Sequence, residues 1–377
     1  MEKCSIIREI DTLSALIRQQ GQLNCAVVQG LDLSTVGLDW DAVECAGAVF
    51  MGCRFPKNLD QQKLRDRGAM ILPRFKDIPY NPYRSQLYTR EELMTGWTPT
   101  EDASVDKQIY DHFHAKGGNS PDVLEALTQR IHDHAVDDAL RDLLEGRVET
   151  DGKKKVVAVM GGHGTPRTDP YYRKVATITR ELTRAGYFIA SGGGPGMMEA
   201  ANLGAWMANA EDKALERALQ LLARSPVYTD AGYMESAQDV IDLHSSGNSS
   251  LAIPTWFYGH EPTNLFSRYV AKYFSNSIRE DGLLAIATFG VIYAPGSAGT
   301  TQEIFMDATQ NHYATFDWIS PMIFLGKKRY TEDTMLFPCI SQLAEGKKYA
   351  EMLLCTDDES EVCAAIASYE PTIQKIS

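Results

Sequence analysis

The sequence predicts an α/β fold: a Rossmann-like, doubly wound parallel sheet in residues 151–377, preceded by an additional N-terminal domain in residues 1–150. Three observations support this prediction. From residue 155 onward, short apolar runs alternate with helical patterns, as in a parallel sheet covered on both faces. Two of these runs end in glycine-rich turns that lead directly into helices. The 377 residues, 44% of them hydrophobic, suffice for two separate cores.

The N-terminal domain is predicted to mix helices with short strands, and its role stays open. Apolar spacing indicates one helix over residues 5–20. Residues 23–56 show short apolar steps broken by glycines, a weak sign of stacked short strands of the pentapeptide-repeat or a similar kind. A second helix is expected over 120–144, where Ser120 is a good N-cap for a chain that continues with proline. The polar, basic stretch 150–155 marks the domain boundary.

The C-terminal domain is predicted to alternate strand and helix along its length. Asp169 followed by Pro170 begins a helix that runs to about residue 185. Residues 210–246 are expected to form a helical insertion and 265–278 a further helix, and the second glycine-rich turn leads into a helix that ends near residue 312. The expected strands are 156–160, 187–190, 252–257, 289–293, 321–325 and 352–355.

Composition and charge exclude several classes of partner. The chain has 50 acidic and 37 basic side chains and a formal net charge of -13, which repels nucleic-acid polymers and anionic membrane surfaces. No run reaches the roughly 18 apolar residues of a membrane-spanning helix. The seven cysteines are an odd number without a Cys-x-x-Cys pair, which is typical of reduced thiols. We therefore expect a cytoplasmic protein that binds neither nucleic-acid polymers nor membranes.

The chemistry is expected at the two glycine-rich turns. The first reads Ser-Gly-Gly-Gly-Pro-Gly-Met-Met-Glu over residues 191–199, and the second reads Ala-Pro-Gly-Ser-Ala-Gly-Thr-Thr-Gln-Glu over 294–303. Glycines allow backbone amides to approach a ligand closely, and the N-terminus of the following helix attracts an anion. The second turn, to which Thr300 adds a hydroxyl donor, is therefore a candidate site for one phosphate group.

Neither turn matches the two commonest nucleotide-binding motifs. A dinucleotide fingerprint starting at Gly192 would need glycine where the sequence has Met197. A P-loop would need lysine after Gly299, where Thr300 stands. From the residues alone, two uses of Glu303 stay open: a catalytic carboxylate, or the last member of a Thr-x-x-Glu capping box that only satisfies backbone amides.

The two turns together resemble the signature of the LOG ("lonely guy") family, whose members are often mislabelled lysine decarboxylases. The family pattern Pro-Gly-Gly-x-Gly-Thr-x-x-Glu is similar to residues 295–303, and Arg279 lies upstream where the family has an arginine. Two positions depart from the family, because Ser297 replaces the second glycine and Gln302 stands where many members have another glutamate. The resemblance covers roughly residues 155–369 and does not include the N-terminal domain.

The resemblance implies an N-glycosyl hydrolase that converts a nucleoside 5′-monophosphate into a free base and ribose 5-phosphate. Cleavage of the C1′–N bond builds positive charge on the ribose, which a nearby carboxylate stabilises. That role falls to Glu303, with Arg279 orienting it or neutralising phosphate, and His163 is a weaker candidate for protonating the base. The implied substrate-binding residues are Gly296, Ser297, Ala298, Gly299 and Thr300 for the phosphate, Gly192, Gly193, Gly194, Gly196, Met197 and Glu199 for the ribose, and Gly161 and Gly162 for the edge of the base pocket.

Several alternatives stay open from the sequence. The main one is a non-catalytic sensor that binds a nucleotide or alarmone in the same turns, and another is an interaction protein that acts through its N-terminal domain. Glu199 is equally well explained as a helix-start carboxylate. A pyridoxal-phosphate decarboxylase would need a Schiff-base lysine, which neither glycine-rich turn contains. We expect no cofactor and no metal, and the resemblance favours a homodimer or higher homo-oligomer.

Overall fold

The computed structural model of the protein describes residues 5–148 and 152–371. The chain forms two compact units: Met1–Gln86 together with Ser120–Leu140 is the small unit, and Leu87–Asn119 together with Arg141–Ser377 is the large unit. This division differs from the single boundary expected at residues 150 and 151, a position that lies outside the described residues. The segment that begins at Leu87 belongs to the large unit because one of its strands joins the sheet of that unit.

The small unit is built on a sheet of short parallel strands. Each strand pairs with the next one in the chain, and the fully buried side chains of Val28 and Phe50 belong to one apolar core. The stacked short strands indicated in residues 23–56 are therefore present, whereas the helix expected over 5–20 begins only after a first strand. The elements are β1 (Ile6–Ile7), α1 (Ile10–Gln20), β2 (Val27–Gln29), β3 (Val49–Met51), α2 (Gln61–Asp66) and β4 (Met70–Leu72).

The first segment of the large unit adds an edge strand, a hairpin and two helices. Its elements are β5 (Tyr88–Thr89), α3 (Arg90–Met94), β6 (Trp97–Thr98), β7 (Glu101–Asp102) and α4 (Val105–Ala115). Ser104 caps α4, because its hydroxyl accepts a hydrogen bond from the Lys107 backbone N–H at 3.1 Å. A long helix, α5 (Val123–Leu144), follows. Within the described ranges, no helix combines the length and the apolar character needed to cross a membrane.

The large unit is organised around an eight-stranded sheet, which confirms the predicted α/β fold. Its further strands are β8 (Val156–Met160), β9 (Phe188–Ser191), β10 (Leu251–Ala252), β11 (Tyr269–Val270), β12 (Val291–Tyr293), β13 (Met322–Leu325) and β14 (Leu353–Thr356). The spatial order is β14-β13-β12-β8-β9-β10-β11-β5, and neighbours are parallel except β11 and β5. From β8 the chain adds strands on one side as far as β11, then places β12 on the other side of β8. This reversal is the topological switch point at which doubly wound sheets bind ligands.

Helices connect the strands of this sheet. They are α6 (Pro170–Arg184), α7 (Met197–Trp206), α8 (Asp212–Leu222), α9 (Tyr233–Leu243), α10 (Asn276–Ile286), α11 (Ala298–Tyr313), α12 (Leu336–Ala344) and α13 (Glu359–Ala367), with a π-helix at Arg329–Asp333 and a 3₁₀-helix at Lys348–Met352. Asp169 begins α6 as predicted, since its carboxylate accepts a hydrogen bond from the Tyr171 backbone N–H at 2.8 Å. The apolar face of α6, including Val175 and Ile178, is buried in the core.

Most predicted elements of the large unit are present, and one is wrong. The strand predictions correspond to β8, β9, β12, β13 and β14, and the helical insertion contains α8 and α9. The strand expected over 252–257 is short and ends at residue 252. The helix predicted over 265–278 is wrong, because Tyr269 and Val270 extend alongside β10 as β11 and the helix begins only at Asn276. A short apolar run fits either a strand or a helix, and pairing with a neighbouring strand decides it here.

The close approach of α6 and α7 provides a test of this packing. A Cβ atom on Gly204 of α7 would lie 2.1 Å from both the Ala176 backbone oxygen and Thr179 Oγ1. We expect Gly204→Ala to lower the free energy of unfolding by about 1–3 kcal/mol through overpacking. In the matched variant Gly282→Ala, in α10, the new Cβ meets nothing within 4 Å. We expect that variant to gain about 0.5–1 kcal/mol. Chemical denaturation measures both, and equal effects would contradict the packing described.

Candidate active site

Three turns meet at the switch point between β8 and β12. They follow β8, β9 and β12 and contain the glycine residues of the sequence motifs. The Gly162 backbone N–H donates to the Pro295 oxygen at 3.0 Å, and the Met197 N–H donates to the Gly162 oxygen at 3.1 Å. The turn after β8 is thus hydrogen-bonded to both glycine-rich turns, which brings the two motifs together.

Glycine is required where these turns touch. Gly196 has a positive φ of 69°, and a Cβ there would lie 2.3 Å from the Gly162 oxygen. A Cβ on Gly161 would lie 2.6 Å from Met197 Cβ. Because Met197 is also fully buried, these residues hold the turns against one another.

The turns open into a cavity of about 590 Å³ within the large unit, a volume typical of small-molecule sites. The segment from β5 to α4 contributes Leu93 and Tyr110 to its wall. Of the predicted site residues, those that line the cavity are Gly161, Gly192, Gly193, Arg279, Ser297, Ala298, Gly299, Thr300 and Glu303. Gly194 belongs to the same turn as Gly192 and Gly193. The fold therefore gathers residues of both motifs and Arg279 around one space.

The end of this cavity best suited to an anion is the start of α11. The helix begins at Ala298 with Ser297 as its N-cap, and residues 297–299 are exposed. The first turn of α11 carries no acidic side chain, so its backbone N–H groups and the positive end of the helix dipole are available to an anion. Behind the turn, Arg329 donates to the Gly296 oxygen and adds positive charge. This end of the cavity suits a phosphate group.

Glu303 faces the cavity from the second turn of α11. Because the helix begins at Ala298, Glu303 lies too far along it to complete a capping box, and that interpretation is wrong. Burial raises the pKa of Glu303 to about 7, while Arg279 opposes this rise and Glu280 adds to it. The carboxyl group therefore changes its protonation state near neutral pH, as catalytic carboxyl groups commonly do.

Arg279 is the charged partner of Glu303. Its Nη1 lies 3.7 Å from Glu303 Oε1. Its other nitrogens are held within α10, where Nε donates to Asn276 Oδ1 at 3.0 Å and Nη2 to Glu280 Oε1 at 3.1 Å. Gln302 Nε2 donates to the other oxygen of Glu280 at 2.6 Å. A glutamate at position 302 would instead place two carboxylates against each other.

The carboxylate of Glu199 is buried and held by hydrogen bonds from other side chains of the protein. Its carboxylate accepts from Arg167 Nε at 2.8 Å and from the Tyr172 hydroxyl at 2.7 Å, and only 3% of the residue is exposed. Arg167 Nη1 also donates to Ser236 Oγ at 2.8 Å and to the Tyr233 oxygen at 3.1 Å, both in the helical insertion. The expected contact of Glu199 with a ribose is therefore replaced by a buried ion pair that ties α7 to the insertion.

Sequence reasoning missed one wall of the cavity, which includes Trp256, Glu261 and Lys272. The buried carboxylate of Asp106, on α4, organises this wall. It accepts from Trp256 Nε1 at 2.7 Å, from Lys272 Nζ at 2.8 Å and from Thr263 Oγ1 at 2.9 Å. Asp106 and Lys272 are 166 positions apart in the chain, so no local pattern signals their pairing.

Similarity to known proteins is found among solved structures. No family model matches the sequence, and no curated protein sequence matches it either. The molybdenum cofactor binding protein from Rippkaea orientalis is 15% identical, with a TM-score of 0.37, over 57% of this chain and 97% of that one. The Moco carrier protein from Chlamydomonas reinhardtii is 14% identical, with a TM-score of 0.36, over 57% and 96% of the two chains. TM1055, a structural-genomics target, is 20% identical, with a TM-score of 0.36, over 57% and 99%.

Two buried carboxyl groups on α11 make the stability of the protein depend on pH. Burial raises the pKa of Glu303 from 4.5 to about 7. It also raises the pKa of Asp307 from 3.8 to about 7, against the opposing hydrogen bond from the Tyr293 hydroxyl at 2.6 Å. Between the lower and the raised values the folded chain binds more protons than the unfolded chain. The free energy of unfolding therefore falls as the pH rises through this window.

We expect Glu303→Gln to raise the melting temperature above the pKa of about 7 and to change it less well below that value, because the variant no longer buries a charge. Calorimetry on either side of neutrality measures the effect. The exposed Glu345 supplies the control, since Glu345→Gln should leave the pH dependence of melting unchanged. A Glu303→Gln protein that melts like the unaltered one at every pH would contradict the raised pKa.

Proposed function

We propose that this protein hydrolyses the N-glycosidic bond of a nucleoside 5′-monophosphate and releases the free base and ribose 5-phosphate. The observation that carries the proposal is the position of Glu303 on the same helix whose N-terminus is open to an anion. Glu303 lies about 7–8 Å along the helix axis from Ala298. That distance is close to the reach from a 5′-phosphate to the anomeric carbon of the same nucleotide.

The carboxylate of Glu303 supplies the negative charge that this reaction needs. Departure of the base makes C1′ resemble an oxocarbenium ion, and an ionised carboxyl group beside it stabilises that charge or activates the attacking water. Arg279, at 3.7 Å, favours the ionised form and orients it. The phosphate would be held by the backbone N–H groups at the start of α11, where Ser297 adds an exposed hydroxyl.

A non-catalytic nucleotide or alarmone sensor would use the same phosphate subsite. Such a sensor has no need for a buried carboxyl group at the sugar position. Burying Glu303 with a single loose ion pair costs folding free energy, and catalytic groups are the usual reason for such a cost. This placement, together with the resemblance to LOG proteins, favours the enzyme over the sensor.

The resemblance also leads us to propose a homodimer or higher homo-oligomer. Two large apolar side chains of α11, Phe305 and Tyr313, are exposed in the single chain and would be candidates for burial between copies. Light scattering of the purified protein measures the mass in solution, and a monomer at all concentrations would contradict this part of the proposal.

Replacement of the carboxylate tests the proposed reaction. We expect Glu303→Gln to lower kcat by at least about 100-fold, while the dissociation constant of a nucleoside monophosphate changes little. Incubation with a panel of nucleosides, monophosphates and triphosphates, followed by chromatography of free base and ribose 5-phosphate, measures turnover. Glu345→Gln is the matched control on the surface. Saturable binding without release of base by the unaltered protein would favour the sensor.

The phosphate subsite can be tested separately at Gly299, where a new Cβ would meet nothing within 4 Å. We expect Gly299→Asp to raise KM for monophosphates by at least about tenfold, because its carboxylate would repel the phosphate from the helix N-terminus. Gly299→Ala should keep KM near its original value. Both variants should fold, since a side chain at this exposed position meets no neighbour. An unchanged KM in the aspartate variant would show that the phosphate binds elsewhere.

A further inference from the structure

Glu261 lines the cavity but has no role yet in the proposed hydrolysis. It lies in the loop between β10 and β11 and is partly buried. Among the described residues, none donates a hydrogen bond to its carboxyl group, which is affected by burial and by the charges of nearby positive groups. A largely desolvated carboxyl group without a protein partner at a cavity wall is available to a ligand.

The glycine-rich turn after β9 places Glu261 near the pair formed by Arg279 and Glu303. Glu261 Oε2 lies 2.6 Å from the position that a Cβ on Gly194 would occupy, and Arg279 Nη1 lies 3.6 Å from the corresponding position on Gly192. The Cα atoms of these two glycines are at most about 7 Å apart, since they are separated by a single residue. Glu261 and the Arg279–Glu303 pair therefore flank the same short stretch of the cavity.

Other ionisable groups of this wall are already engaged. Lys272 Nζ is held by Asp106 at 2.8 Å. His260 is held at Nε2, which lies 3.0 Å from Asp102 Oδ2, while its Nδ1 is buried without a hydrogen-bond partner among the described residues. Glu261 differs from both groups, because neither oxygen of its carboxyl group has a hydrogen-bond partner among the described residues.

Burial and nearby positive charges shift the pKa of Glu261 in opposite directions. Burial raises the pKa of Glu261 above its ordinary value, and the nearby positive groups reduce this rise without cancelling it. Those groups are His163, Lys272, Arg279 and His260. Two carboxyl groups border one cavity, one paired with Arg279 and one without a hydrogen-bond donor among the described residues. Glycoside hydrolysis commonly uses two such groups, one as base and one as acid.

We propose that Glu261 is the general acid of the reaction and donates its proton to a ring nitrogen of the departing base. This inference rests on the proposed function. The electron pair of the C1′–N bond moves onto the base as the Glu261 proton reaches it. The oxygen of a water molecule bonds to C1′ and gives a proton to Glu303, and proton exchange with solvent then returns Glu303 and Glu261 to their starting forms. Overall, one nucleoside monophosphate and one water molecule give one free base and one ribose 5-phosphate.

The test compares adenosine 5′-monophosphate with nicotinamide mononucleotide, whose base leaves as a neutral pyridine and needs no proton. We expect Glu261→Gln to lower kcat/KM for adenosine monophosphate by about 10²–10⁴-fold and to spare the nicotinamide substrate. Glu303→Gln should lower both. In the unaltered protein, kcat/KM for adenosine monophosphate should fall at high pH, where the general acid has lost its proton. This fall is the basic limb of the pH profile. Glu261→Gln should abolish the basic limb, and Glu261→Asp should restore part of the rate.

The outcomes separate this inference from the proposed function. Base release by the unaltered protein together with a Glu261→Gln variant that keeps both its rate and its basic limb would overturn the role of Glu261 alone. A basic limb that disappears in His163→Asn and persists in Glu261→Gln would assign the proton to His163 instead and would also overturn it. Absence of base release from every monophosphate would overturn the proposed function and this inference with it. Circular dichroism of each variant, with Glu345→Gln as control, checks that the fold is retained.

Discussion

The hydrogen bond from the Gly162 N–H to the Pro295 oxygen joins the two sides of the sheet where the strand order reverses. In a doubly wound sheet, the connections on the two sides of this point run in opposite directions and leave a crevice. Backbone contact across the crevice sets the spacing between the turn after β9 and the N-terminus of α11. Larger side chains at the contact points would push the turns apart, since a Cβ on Gly196 would lie 2.3 Å from the Gly162 oxygen. The proposed phosphate subsite and the position of Glu303 both depend on this contact.

The charged groups around the cavity fall into two sets. Asp106 with Lys272, and Glu199 with Arg167, are buried ion pairs with additional hydrogen bonds, which is how a fold keeps desolvated charges at tolerable cost. Glu303 and Glu261 differ, because the first has one loose ion pair and the second has no hydrogen-bond donor among the described residues. Burial without full compensation raises the pKa of both groups, and that combination is characteristic of groups kept for chemistry.

Two segments that are not part of the repeating strand–helix pattern contribute to the wall of the cavity. The segment from β5 to α4 supplies Tyr110 to the wall and, through Asp106, holds Trp256 and Lys272 in place. The helical insertion is tied to α7 through Arg167 and Glu199, and it includes Tyr228, which lines the cavity. These additions enclose a site that the parallel sheet alone would leave open along one side.

The sequence by itself determined the α/β fold of the C-terminal region and a candidate phosphate-binding turn, and its resemblance to LOG proteins made Glu303 and Arg279 candidates. These features are local: apolar periods, an N-cap such as Asp169, and glycine motifs are legible within a short window. Only the tertiary structure decided that Glu199 is bound to Arg167, that Tyr269 joins the sheet, and that Glu261 reaches the cavity. The physical reason is that strand pairing and desolvation depend on residues far away in the chain. A local sequence pattern does not indicate which distant side chain will pair with a charged group, or whether that group will stay unpaired.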